Sequence, residues 1–421
     1  MTENASAGEF LMPRLTPPPI ERARSAPGRS ASEPLMDPLT QYLRECEEAP
    51  GYLDFARVGP PLRSVITARA KSLETLARGM VGAVSTLEEV QQRARSRAAT
   101  LVGVATHECT IASSTSAALM SVAFALSSGG NVIVPSGEFP ANVVPWLRAA
   151  ARGGPTVIRA PRAADGSYGA EQVARVLTPD TVAVTVSAVG YATGWKAPLA
   201  TIREVIGPDR ILVVDAIQGL GVCDLQLETA DVVIAGAQKW LRAGQGAAIF
   251  AVRDHVADRL HPTLGGWPSM PELDSDCTAA GASPVRGPAR FLPTNVDLEA
   301  AAGLDAALSA LATCGPARVH QRQRLVAHSV RQVLSRFDAT VIGAEWTPEQ
   351  RGPILSFTLP GLESDRVKRE LADHGVSVSV RDEHVRISAH LSFGDESAAV
   401  LEEALWQIKP GTGRESRPVT S

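Results

Sequence analysis

An alternation constrains this chain more than any other feature. Short β-branched runs stand at 132–134 (VIV), 156–158 (TVI), 181–186 (TVAVTV), 211–214 (ILVV), 232–234 (VVI) and 247–252 (AAIFAV). Helix-period stretches at 115–127, 142–152, 170–177 and 198–206 separate several of them. Apolar runs of this length read as strands buried on both faces. Strands that alternate with helices build βαβ units around a mostly parallel sheet. From about Leu298 the texture changes to a long helical stretch, 298–336, then β-like segments at 376–380 and 385–388 and a last helix near 396–408. The pattern predicts an α/β core with a smaller α+β unit appended, without internal repeats.

The 421 residues suit that two-part plan. Lys and Arg number 41 against 45 Asp and Glu, a net charge of −4, and no basic stripe interrupts the balance, so nucleic acid is not an expected partner. Cys46, Cys109, Cys223, Cys277 and Cys314 are scattered with no CxxC pair. That spacing matches neither a zinc site nor a disulfide framework and favours a reducing cytoplasm, with no metal expected. Glu3 and Glu9 break the order of a signal peptide, and the longest apolar run, about Ala117 to Leu126, is too short to span a bilayer, so no membrane partner is expected. Residues 1–45 are rich in Pro, Ser and Arg and read as a disordered leader, and 411–421 as a loose tail. Asn4-Ala5-Ser6 matches a glycosylation acceptor by chance.

Parallel α/β sheets place their ligand sites at the carboxyl ends of the strands, and four such ends carry unusual residues. Asp215 closes the run Val213-Val214-Asp215 and is followed by Gln218. It either caps the next turn or is a buried carboxylate that needs a partner. Lys239, in Gly236-Ala237-Gln238-Lys239-Trp240, is either a snorkelling edge residue or an amine in a dry site, made nucleophilic by desolvation. An Asp able to hold a pyridinium nitrogen, paired with a Lys able to bond covalently to an aldehyde, is what pyridoxal phosphate requires. Ser113-Ser114-Thr115-Ser116 opens a helix and is either an ordinary N-cap or an anion seat for a single phosphate ester. No Lys follows it in Walker fashion. Phe139, stiffened by Pro140, is either core or a surface for a flat ring.

Together these segments resemble the class V aminotransferase family over about residues 50–408, closest to its ergothioneine-type C–S lyase and isopenicillin-epimerase-like branch. The resemblance implies the pyridoxal-phosphate fold type I, with a cofactor-binding domain over 46–295 and a small α+β domain over 296–410. The N-terminal part of the larger domain can pack with the smaller one. It implies Lys239 as the residue that carries the cofactor, Asp215 on the ring nitrogen, Gln218 on the ring hydroxyl and Phe139 on the ring face. Ser114, Thr115 and Gln238 would hold the phosphate, together with Thr294 of a neighbouring subunit in a homodimer. Arg386, in Val385-Arg386-Ile387-Ser388, matches the arginine that clamps the substrate carboxylate, the alternative being a strand Arg facing solvent. Arg57 either reads the substrate at the site mouth or is a surface residue.

The departures from the family pattern select a reaction. A cysteine desulfurase carries a nucleophilic Cys shortly before the Arg-x-Ser strand, whereas 375–384 contains none. Tyr191 stands where a desulfurase has a substrate-binding Asn, and is expected to orient the substrate or assist the leaving group. The resemblance therefore implies β-elimination from the cysteine S-conjugate of a small secondary metabolite, to thiol, pyruvate and ammonia, with Lys239 as general base. The alternatives on the same residues are decarboxylation with oxidation to an aldehyde, and transamination. A dinucleotide-binding reading rests only on Gly219-Leu220-Gly221, in the wrong context.

Overall fold

The structure is a computed structural model that describes residues 36–270 and 283–408. The segments 1–35 and 409–421, and Cys277, lie outside the described residues. The described chain from Pro38 onward falls in one compact unit. Seven strands form the main sheet: β1 (Cys109–Ala112), β2 (Asn131–Pro135), β3 (Thr156–Ala160), β4 (Thr181–Ser187), β5 (Ile211–Asp215), β6 (Val232–Gly236) and β7 (Ala248–Val252). Their order is β1-β7-β6-β5-β4-β2-β3. β3, β2, β4, β5 and β6 pair in parallel, and β7 runs antiparallel to both β6 and β1.

Both faces of this sheet are buried, as its continuous apolar runs require. Leu212 and Val214 of β5 face one apolar cluster, and Ile211 and Val213 face the other. The helices that cover it include α1 (Pro38–Leu43), α2 (Arg63–Ala77), α3 (Ala83–Val102), α4 (Thr115–Ala125), α5 (Val144–Ala150), α6 (Ala170–Ala174), α7 (Leu199–Ile206) and α8 (Asp254–Ala257). Helix α1 lies inside the expected leader and corrects its boundary. Tyr42 is buried there and stacks on His390 at 6.2 Å, so a short apolar face overrides the proline-rich composition.

The predicted long helix over 298–336 is two helices, α9 (Leu298–Cys314) and α10 (Pro316–Ser335). Gly315, at φ +86°, ends the first, and Pro316 supplies a helix-ready φ to open the second. A second, antiparallel sheet follows, with the order β10-β11-β9-β8: β8 (Thr340–Val341), β9 (Leu355–Thr358), β10 (Ser379–Arg381) and β11 (His384–Ile387). It packs Phe357, Val385 and Ile387 against α10 and α12 (Asp395–Ile408), with α11 (Ser364–Asp373) completing the layer.

The segment 52–60 ties the two sheets together. Tyr52 and Asp54 bridge to Ser377 and Ser388 beside the small sheet, and the Gly59 amide donates to Gln238 O at 2.8 Å beyond β6. A Cβ on Gly59 would stand 2.0 Å from Lys239 O, so only glycine permits this approach. Just behind it the fully buried Arg242 pairs with Glu48 and donates through Nε to Pro60 O at 2.7 Å, with its guanidinium over the Phe55 ring. Removing one partner of such a pair leaves a dry, uncompensated charge. Glu48→Ala should therefore cost about 3–5 kcal/mol in urea unfolding. The double variant Glu48→Ala/Arg242→Met should recover part of that loss.

Candidate active site

The carboxyl ends of β1, β2, β4, β5 and β6 point the same way, and their loops close around a cavity of about 280 Å³. Ser114, Thr115, Phe139, Tyr191, Asp215, Gln218, Gln238, Lys239, Arg386 and Arg57 all line it. Of the residues singled out from sequence, Thr294 alone does not. It is exposed, three residues past the turn of helix that ends at Phe291.

Asp215 is the last residue of β5 and is 2% exposed. Its Oδ1 accepts from the Ile217 amide at 3.0 Å, so the turn-capping role is real, but Oδ2 has no hydrogen bond among the described residues. Burial raises its pKa to about 7, against the pull of that amide and of the Lys239 charge. Lys239 sits in the turn after β6, where Arg242 N donates to Lys239 O at 3.1 Å and Ala243 N to Ala237 O at 3.0 Å. Its Nζ lies 5.6 Å from the Phe139 ring centre. Burial lowers its pKa to about 8, opposed by Asp215 and assisted by Arg386 and Arg381.

The Ser/Thr turn caps a helix and also lines the cavity. Ser114 Oγ accepts from Ala117 N at 3.1 Å as the N-cap of α4. Thr115 Oγ1 is buried without a partner and faces the same cavity as Gln238. Gly236 makes room beside it: a Cβ there would stand 2.8 Å from Thr115 Oγ1 and 2.4 Å from Gln238 Oε1. An orphaned hydroxyl, a helix N-terminus and a glycine-made hollow fit a phosphate ester. Gln218 is braced, donating through Nε2 to Ala56 O at 3.0 Å and accepting from Trp240 Nε1 at 3.0 Å. One amide N–H stays free for a ring substituent. Phe139 is 40% exposed toward the cavity and meets Tyr191 edge-on at 5.2 Å.

Arg386 is buried on β11 and is held from behind. Nη1 donates to Tyr191 O at 2.9 Å and Nη2 to Asp54 Oδ1 at 3.2 Å, while Ser379 Oγ donates to Asp54 Oδ2 at 2.6 Å. Its Nε has no partner. Sequence reasoning missed this Asp54 brace, which depends on the 52–60 crossing, and it missed Arg381, which also lines the cavity. Arg381 was within reach of pattern reasoning. Asp382 and Glu383, both at positive φ, form a two-residue hairpin turn that places Arg381, Ser379 and Arg386 on one face. Glu138 was missed too. It is buried beside Phe139 and accepts from Ser187 N at 2.8 Å and Tyr168 Oη at 3.2 Å, fixing the loop after β2 to the end of β4.

The sequence signature of the family Aminotransferase class-V matches residues 52–393. The chain belongs to this family. As a class V aminotransferase it is a pyridoxal-phosphate enzyme, and the cavity fits that group: an acid and an amine at the ends of adjacent strands, an aromatic face and an anion seat. A probable hercynylcysteine sulfoxide lyase of Mycobacterium tuberculosis is 31% identical over 200 residues, 47% of each chain. A probable cysteine desulfurase of Vibrio cholerae is 23% identical over 256 residues, 60% of this chain and 61% of the relative, so the match spans about three-fifths of that protein. Among solved structures, a C-DES mutant with glycine covalently linked to its PLP cofactor superposes with a TM-score of 0.77 at 20% identity, over 84% of this chain and 96% of the other.

The raised pKa of Asp215 has a measurable consequence in the cofactor-free protein. The folded state holds its proton more tightly than the unfolded state, so the stability penalty of this residue is absent below about pH 4 and grows until the pH passes about 7. Asp215→Asn should therefore raise the thermal midpoint of the cofactor-free protein at pH 8, with the gain vanishing at pH 4, while turnover with added cofactor is lost. Calorimetric melts at the two pH values check the first outcome.

Proposed function

We propose that this protein is a C–S β-lyase that cleaves a cysteine S-conjugate of a small secondary metabolite to thiol, pyruvate and ammonia. The observation that carries the reading is the make-up of the cavity. Lys239, Asp215 and Arg386 converge there, and no cysteine lines it among the described residues. A desulfurase needs such a thiol to accept sulfur, whereas an elimination needs only a base, a carboxylate clamp and a leaving group. The 31% identity to a probable sulfoxide lyase supports the same choice.

Bound pyridoxal phosphate supplies an electron sink for charge that develops at the substrate α-carbon. Asp215, shielded from water, would hold the ring nitrogen, and Gln218, with one N–H free, would hold the ring hydroxyl. Arg386 holds the α-carboxylate, and Arg57 and Arg381 border the rest of the substrate. Lys239 Nζ, its pKa lowered by burial, accepts the α-proton. Tyr191, whose pKa burial raises above the usual 10, keeps its proton near neutrality and donates it to the departing sulfur. With one water the balance closes: RS–CH2–CH(NH3+)–COO− becomes RSH, pyruvate and ammonium. The same reading makes the protein a cytoplasmic homodimer, in which the exposed Thr294 serves the phosphate seat of a second copy.

Incubation of the cofactor-loaded protein with bulky cysteine S-conjugates, followed by mass spectrometry, should find free thiol and pyruvate in equal amounts. Sulfur retained in an aldehyde or keto acid would overturn elimination in favour of oxidative decarboxylation or transamination. Lys239→Ala should lower kcat at least about 1,000-fold, and borohydride should no longer fix the cofactor to the chain. Tyr191→Phe should lower kcat about 100-fold, with a smaller loss for conjugates whose thiol is more acidic.

A further inference from the structure

A second cavity, of about 580 Å³, lies apart from the Lys239 site, between α10 and the segments 222–224 and 348–353. His320, Arg324 and His328 follow one another at helical spacing along its α10 wall, with Arg331 one turn further on. Lys196 and Arg351 come from the facing wall. There the chain is pinned by Lys196 N donating to Gln350 O at 2.8 Å and Gly352 N to Gly194 O at 2.7 Å. Lys196, Arg324, Arg331 and Arg351 are four permanent cations, and among the described residues Asp224 and Glu349 are the only carboxylates lining the same space. Two positive charges remain without an opposite.

Arg331 marks where they sit. It is half-buried and makes no hydrogen bond or ion pair among the described residues. Burial and the neighbouring Arg351 guanidinium pull its pKa down to about 10. Arg351 donates through Nη2 to Ala344 O at 2.7 Å, but its Nε is buried without an acceptor. Gln323, 3% exposed, donates to Ala389 O at 2.9 Å and leaves Oε1 buried without a donor. Two guanidiniums that line one cavity partly out of water repel each other and lose hydration, and an anion bound with them reverses both effects. One guanidinium fork already satisfies the two oxygens of a carboxylate. A phosphate, with three outer oxygens, accepts from two forks at once, and its hydroxyl or ester substituent can meet Gln323 Oε1.

We propose that this cavity binds a small phosphorylated metabolite, with one phosphate held between Arg331 and Arg351 and the adjoining negative charge met by Arg324 and Lys196. The volume suits a ligand of that class. The site is independent of the reaction proposed above, and its test does not use turnover as the readout.

Pyrophosphate is titrated calorimetrically into the full chain saturated with pyridoxal phosphate, so that the phosphate seat near Thr115 is already filled. The expected result is saturable one-to-one binding, weakened at least about tenfold in Arg331→Gln and in Arg324→Ala. Arg324 is exposed, so its variant keeps the test decisive if Arg331→Gln fails to fold. Absence of saturable binding, wild-type affinity in both variants, or binding of citrate as tight as that of pyrophosphate would overturn the proposal.

Discussion

An acid and an amine, both withdrawn from water at the ends of neighbouring strands, set the terms for the rest of this molecule. Asp215 and Lys239 are each disfavoured in their charged forms by burial, and each partly relieves the other. Neither would persist on a strand end open to solvent on one side. The main sheet must therefore be covered on both faces, and the loops beyond β5 and β6 must be closed from above. The same burial brings the pKa values of both groups toward neutrality.

That closure comes from a segment distant in sequence. The stretch 52–60 lies along the small sheet at Asp54 and reaches the Lys239 turn at Gly59. Its backbone binds Gln218 through Ala56 O, and its Asp54 side chain braces Arg386. One short strip of chain thus sets the distance between the Gln218 end of the cavity and the Arg386 end. The buried Glu48–Arg242 pair fixes this strip from behind, which explains why so costly an arrangement is kept just outside the site.

Much of this was legible in the sequence because strand ends are local events. The runs ending at Asp215 and near Lys239 carry their own period, and the hydroxyls at Ser114 and Thr115 announce a helix start. The parts that stayed hidden depend on contacts made across the chain. Asp54 gains its role only when residue 386 is folded beside it, a separation of 332 positions. Helices α2 and α3 pack on α9 with too polar a surface to stand out, and α1 is a single apolar turn in proline-rich surroundings. The hairpin that aims Arg381 had a local signal in Asp382-Glu383, but one that depends on positive φ rather than on hydrophobic period.

On the proposed reading, in which Arg386 takes the substrate carboxylate, the Asp54 brace also bears on how long that carboxylate remains in the site. Arg386 does not wait as a bare cation, because a resident carboxylate already shares its charge. An arriving α-carboxylate therefore gains less than it would from an isolated guanidinium, and a departing one leaves behind an arginine that remains paired. Under the proposed reaction, such a clamp would orient the substrate without trapping the keto-acid product, which carries the same group.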